Sequence, residues 1–127
     1  MLTKEQIFAA RDLQTEDVDV PEWGGAVRIT VMGGKARDAL MEALAEPQTT
    51  SRFQSLVLAS TVVDDGGAPV FTAKDVEQLS EKNTEVLTRL VSVAMRLNKI
   101  GTKATEDAEK NSEAALSGSS GSDLPAS

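Results

Sequence analysis

Two short runs with a period of two constrain the fold of this chain more than any other feature of its sequence. Valine alternates with aspartate through Asp17-Val18-Asp19-Val20, and apolar residues alternate with polar ones from Val27 to Val31. Between the runs lies Pro21-Glu22-Trp23-Gly24-Gly25-Ala26, which contains the only tryptophan. Because such alternation is typical of half-buried strands, residues 16–31 are predicted to form an antiparallel hairpin. An isolated hairpin is marginal in water, so one face should lie on helices or on another subunit's sheet.

Helical spacing and capping residues predict that most of the remaining chain is helical. Thr3 and Gln6 have the spacing of a capping box, Thr72 and Asp75 form a second candidate cap, and Asn83 or Thr84 is expected to cap the last helix. The predicted helices span residues 4–11, 35–46, 52–61, 72–80 and 84–98, although Val57-Leu58 and Val62-Val63 leave a strand possible in the third region. Gly101 is well placed to end the last helix.

The helix predicted at residues 84–98 has the broadest apolar face, which consists of Val86, Leu87, Leu90, Val93, Ala94 and Leu97. Such a face is more often core than a partner groove. A small chain has few ways to cover every apolar face, so Leu87, Leu90 and Leu97 are also candidate partner-binding residues. Arg89 and Arg96 lie on the polar flank and are expected to be solvated.

These elements predict an α+β fold: a mostly helical single domain with one small antiparallel β-hairpin and a disordered C-terminal tail. The domain is expected to span residues 1–101. Residues 102–116 form a polar, helix-permissive extension, and residues 117–127 form a flexible tail rich in serine and glycine. A length of 127 residues suits one domain with a core of modest size.

Composition excludes several classes of function. The chain has no cysteine and no histidine, which excludes disulfides, thiolate nucleophiles and the usual zinc ligands. A net charge of -7 opposes binding to nucleic-acid phosphates. No apolar run is long enough to span a bilayer, and the N-terminus lacks a signal-peptide pattern, so a cytosolic protein without a membrane contact is expected. A protein or peptide partner is the better prediction, with no cofactor.

Trp23 is the fourth candidate partner-binding residue. As an exposed side chain it would be an interface anchor, since tryptophan is enriched at binding hot spots. The alternative, weighted somewhat higher, is that the indole folds back over the hairpin and its helix.

Glycine-rich segments elsewhere favour turns over ligand sites. Asp64-Asp65-Gly66-Gly67 lacks the alternating ligands of a calcium loop and is expected to be a plain turn. Gly33-Gly34-Lys35 has the wrong spacing for a phosphate loop. Asp17 and Asp19 point the same way on a strand, as paired carboxylates of a hydrolase would. However, no motif in the sequence indicates an active-site pocket around them. An enzyme is not expected.

Three segments, taken in order, carry a resemblance to a known family. They are Val20-Pro21-Glu22-Trp23-Gly24-Gly25, then Leu56-Val57-Leu58 followed by Asp64-Asp65-Gly66, and Leu79-Ser80-Glu81-Lys82. In this order they resemble the tail assembly chaperones of long-tailed bacteriophages. The resemblance runs from about Leu2 to Gly101, with a further echo at residues 109–113.

The resemblance implies a non-enzymatic function in the host cell cytoplasm. Members of the family are thought to coat the tape measure protein, a long helical chain, and to keep it soluble until tail tube subunits polymerise around it. A frameshifted longer form is thought to recruit tail tube protein, and this chain looks like the short form. A homo-oligomer is possible. The alternative function is a structural tail or neck component that stays in the virion, whereas a chaperone should be absent from it.

Overall fold

A computed structural model describes residues 1–100, of which residues 1–97 form one compact unit and residues 98–100 belong to a second. The helices are α1 (Lys4–Ala9), α2 (Gly34–Ala43), α3 (Thr50–Thr61), α4 (Val76–Leu79) and α5 (Thr84–Asn98), the strands are β1 (Thr15–Val20), β2 (Gly25–Thr30) and β3 (Val62–Val63), and two 3-10 turns cover Pro21–Trp23 and Ala73–Asp75. The mostly helical α+β fold with a small hairpin is confirmed. The proposed extension (102–116), the tail (117–127) and the stop at Gly101 lie outside the described residues.

The sheet has the strand order β1-β2-β3, with both pairings antiparallel. The hairpin predicted at residues 16–31 is confirmed, in a register that runs from Thr15 opposite Thr30 to Val20 opposite Gly25. Val62 and Val63 form the short third strand, so the strand left open by the sequence exists at the end of α3. Val20 and Ile29 lie on the inner face and are fully buried, whereas Asp17 and Asp19 lie on the outer face.

The core of the first unit is built from aliphatic side chains on the inner face of the sheet and on α2, α3, α4 and α5. α3 contacts α2, α4 and β2. The main buried apolar residues of this core are Val20, Ile29, Leu40, Val57, Leu58, Val62, Val76, Leu79, Val86, Leu87, Leu90 and Ala94. The apolar face predicted for the last helix is therefore largely core.

Local capping sets where the helices begin. Thr3 Oγ1 accepts a hydrogen bond from Gln6 N–H and Thr3 N–H donates to Gln6 Oε1, which confirms the capping box. The Thr72–Asp75 box is also present, although it opens a 3-10 turn before α4. Asn83 is the cap of α5, because its Oδ1 accepts from Glu85 N–H at 2.8 Å and Val86 N–H at 3.1 Å.

The helix predicted for residues 72–80 is α-helical only at Val76–Leu79, after the 3-10 turn Ala73–Asp75. Two other predicted helices extend too far at their C-terminal ends. α1 ends at Ala9 and not at residue 11, and none of its residues is buried, so no packing energy extends it. α2 ends at Ala43 and not at residue 46, because the Gln48 side-chain amide donates to the carbonyls of Ala43 and Glu46 and so satisfies the helix end. Within residues 1–100, no helix is long and apolar enough to cross a membrane.

Candidate partner-binding groove

The tip of the hairpin is a tight 3-10 turn that positions Trp23. Pro21 opens the turn, and Gly24 N–H donates to the Pro21 carbonyl at 3.1 Å. Gly24 has φ of 83°, in the left-handed region where a Cβ is unfavourable. The proline and the first glycine of this motif therefore define the position of the indole relative to both strands.

Two arginines of α5 hold the hairpin. Arg89 donates from Nη1 and Nη2 to the two carboxylate oxygens of Glu22, at 3.3 and 2.6 Å. Arg96 lies two turns further along and donates from Nη2 to both oxygens of Glu16, at 2.9 Å each. Arg96 keeps 60% of its side-chain surface exposed and Arg89 keeps 36%, so both remain accessible to solvent as predicted, but the sequence did not predict their ion pairs with the hairpin. The hydrogen bonds from Arg89 also lower the pKa of Glu22 below its ordinary value.

Trp23 is half-buried at the hairpin tip, so part of its indole is covered and part is accessible. The Lys82 ammonium lies 5.8 Å from the centre of its ring, within the range of a cation–π contact. The structure thus contains elements of both interpretations of Trp23. Its accessible part lines a groove.

The groove has a volume of about 370 Å³ and lies beside the hairpin. Its apolar lining includes Trp23, Ala26, Val27, Val70 and Phe71. Its polar lining consists of Asp17, Arg28, Asp64 and Asp65. Ala26 and Arg28 come from one face of β2 and Val27 from the other, which places the groove along the edge of that strand.

The second wall of the groove follows the turn after β3. Asp64 Oδ1 accepts hydrogen bonds from the N–H groups of Gly66 and Ala68, both at 2.9 Å, and Gly67 has φ of 88°. This is the plain turn that the sequence predicts, and it returns the chain so that Val70 and Phe71 face the groove. Among the described residues there is no cluster of three or more potential metal ligands.

One charged pair lies on the rim. Arg28 donates from Nε and Nη2 to the two oxygens of Asp17, at 2.8 and 3.1 Å, and from Nη1 to the Asp65 carbonyl at 3.4 Å. The two hydrogen bonds from Arg28 to its carboxylate lower the pKa of Asp17 below its ordinary value. Asp17 and Asp19 do share the outer face of β1, but the carboxylate of Asp17 is held by a guanidinium.

The candidate residues on α5 differ in accessibility. Leu87 and Leu90 are 1% and 0% exposed and lie in the core, whereas Leu97 is half-buried. A direct role of these leucines in binding stays a prediction. The sequence alone does not mark Ala26, Val70 or Phe71 as candidate site residues. The only local signals are the glycines before Ala26 and the turn before Val70.

Comparisons with known proteins give a consistent family. The sequence profile of the phage tail assembly chaperone family matches residues 4–111, most of the chain. The solved structure of the bacteriophage HK97 tail assembly chaperone is similar with a TM-score of 0.55 and 25% identity, covering 73% of this chain and 90% of that one. No curated protein matches. The fold, the hairpin motif and the extent of the profile match together place this chain in the phage tail assembly chaperone family.

Proposed function

We propose that this protein acts as a non-enzymatic chaperone that binds the tape measure protein in the host cell cytoplasm and keeps it soluble while the tail tube polymerises. Family membership carries the proposal. Accessible apolar surface in the groove, walled by Trp23, supports binding of a chain that would otherwise aggregate. The net charge of -7 favours a protein partner over nucleic acid and keeps the complex soluble.

The groove wall is the proposed contact surface for the tape measure protein. Trp23 is its largest side chain and is only half-buried, as expected for an anchor that fills a partner's pocket. Leu97 does not line the groove, but it is the most accessible of the three candidate leucines and is proposed as a separate contact. Leu87 and Leu90 would contribute by supporting α5 from within the core.

Co-expression tests the function directly. The tape measure protein expressed alone should precipitate, and co-expression with this chain should keep it soluble and allow the two to co-purify. Trp23→Ala and Leu97→Ala should weaken co-purification without changing the circular dichroism spectrum. Leu13→Ala removes an exposed leucine away from the groove and is the matched control, expected to bind normally. Truncation after residue 115 should also leave co-purification intact.

Purified virions separate this function from the structural alternative. A chaperone should be missing from the particle, whereas a tail or neck component should be present in stoichiometric amount. Insoluble tape measure protein despite co-expression, together with this chain in the virion, would reject the chaperone function. A frameshifted longer form, if the gene encodes one, should additionally retain tail tube protein in the same pull-down.

Self-association is part of the proposal. α1 carries Ile7 and Phe8 with 52% and 79% of their surfaces exposed, beside an exposed Leu2. A second copy of the chain is a natural cover for such residues. Light scattering should then give a lower average molar mass for the Phe8→Glu variant than for the parent protein. An unchanged mass would place any oligomer contact elsewhere.

A further inference from the structure

Backbone direction along β2 identifies an unfilled position at the edge of the sheet. Val31 N–H donates to the Gln14 carbonyl at 2.8 Å, toward the β1 side. Because backbone groups of successive strand residues point to opposite sides, Ile29 and Val27 also point toward β1, and Arg28 and Ala26 point toward the β3 side. Arg28 meets Val63 there.

Ala26 is the next residue toward the hairpin tip whose backbone groups point to the β3 side, and β3 does not extend far enough to pair with it. The β2–β3 register contains only Arg28 opposite Val63 and Ile29 opposite Val62. Beyond it the chain turns at Asp64, whose N–H donates to the Ala68 carbonyl, away from β2. Across residues 1–100 no backbone hydrogen bond joins Ala26 to the groove side, and the residue is exposed. Its N–H and C=O are therefore open to a strand from outside.

The charges on the groove indicate what kind of strand fits. Its lining holds three carboxylates, Asp17, Asp64 and Asp65, against one guanidinium, Arg28. Arg28 is occupied by Asp17. Asp64 and Asp65 thus make the groove acidic at the turn after β3, and its apolar lining includes Trp23 and Phe71. An incoming segment is complementary if it carries lysine or arginine beside an apolar side chain.

We propose that this groove binds an extended segment of the partner by strand addition at Ala26, with a basic residue against Asp64 and Asp65 and an apolar residue against Trp23 and Phe71. The inference rests on the proposed function and specifies its mode. A helix satisfies its own backbone groups and would leave Ala26 unpaired, so the partner is held here in extended form. Part of a chain that later becomes helical would thereby be kept from folding or associating early.

Trp23 provides the assay because it is the only tryptophan of the chain. An acetylated and amidated peptide of alternating lysine and valine is titrated into the full-length protein, and the emission of Trp23 is followed. We expect saturable change with this peptide and none with its glutamate–valine counterpart. A helical alanine–lysine peptide of equal charge should bind much more weakly. Equal binding of the helical peptide, or no response to the lysine–valine peptide, overturns the proposal.

Two changes test the backbone contact. N-methylation of the central valine amide of the peptide should weaken binding about threefold to tenfold, the loss expected for a hydrogen bond. Ala26→Pro removes an N–H that makes no hydrogen bond within the sheet, and proline is tolerated at such positions. This substitution should weaken binding by the same factor as the N-methylation. If Ala26→Pro does not fold, the methylated peptide decides alone. Unchanged affinity for the methylated peptide rejects strand addition.

A matched pair of charge reversals tests the acidic wall. Asp65→Lys should weaken the lysine–valine peptide about threefold to fivefold at low salt. Asp38→Lys makes the same charge change on exposed α2, away from the groove, and should bind as the parent does. Equal effects of both substitutions would mean that only net charge matters and would overturn the site. If the tape measure protein co-purifies undiminished with Ala26→Pro and Asp65→Lys, the groove is not its binding site but the chaperone function stands. If the tape measure protein never co-purifies with the parent chain, the proposed function fails regardless of peptide binding.

Discussion

Arg89 of α5 and Glu22 at the hairpin tip form a two-pronged ion pair, with 2.6 Å between Nη2 and Oε2. Glu22 directly precedes Trp23, so this pair fixes the turn that presents the indole. Arg96 and Glu16 form a second ion pair near the start of β1, in which Nη2 alone donates to both carboxylate oxygens. The hairpin is thereby attached to α5 by polar contacts at two points.

Removing the Glu22 carboxylate should loosen the hairpin tip. We expect Glu22→Gln to lower the thermal midpoint measurably and Arg89→Gln to lower it by a similar amount, and the double variant should be little worse than either. Glu77→Gln is the control, since Glu77 is 88% exposed and lies 3.7 Å from Arg52. Fully additive effects of Glu22→Gln and Arg89→Gln would show that the pair does not couple.

Acid should abolish the stabilisation that the Glu22–Arg89 ion pair provides. The pKa of Glu22 is lowered in the folded protein by its hydrogen bonds from Arg89, relative to an ordinary value of 4.5. A lowered folded pKa gives stability that is complete above 4.5 and is lost as the pH falls through the folded pKa. The difference in thermal midpoint between the parent and Glu22→Gln should therefore be constant at neutral pH and shrink in acid. A difference that persists at about pH 2 would assign it to packing instead.

Leu90 lies at the centre of the buried face of α5 and is 0% exposed. Leu90→Ala should reduce the free energy of unfolding by about 2–5 kcal/mol, through lost burial and the cavity left behind. Leu13→Ala deletes the same atoms from a side chain that is 48% exposed and should have little effect. Chemical denaturation measures both, and equal losses would contradict the assigned core.

The two adjacent glycines of the hairpin should respond differently to alanine. Gly24 has φ of 83°, so a Cβ there is strained although no atom lies within 4 Å of it. We expect Gly24→Ala to cost about 1–2 kcal/mol. Gly25 begins β2 without a positive φ and with equal space, so Gly25→Ala should be neutral. Denaturant midpoints of the two variants make the comparison, and a neutral Gly24→Ala would mean that the turn changes its backbone conformation.

Local features were predictable from the sequence because their physical causes lie within a few residues. Alternating apolar residues define β1 and β2, and the side chains of Thr3, Thr72 and Asn83 satisfy the backbone groups that begin the structures after them. The mostly helical class, the turn at Asp64 and the family followed from the same local motifs. Helix ends were less predictable, since α1 stops where packing is missing and α2 stops where Gln48 reaches back.

Long-range relationships were decided only by the tertiary structure. Glu22 and Arg89 are 67 positions apart and Glu16 and Arg96 are 80 apart, so no periodicity signals that they meet. The groove likewise joins the hairpin to Val70 and Phe71 through the short strand β3. Sequence patterns determine which side chains favour strand, helix or burial, but the packing of the whole core determines which distant polar groups meet and which strand edge stays open.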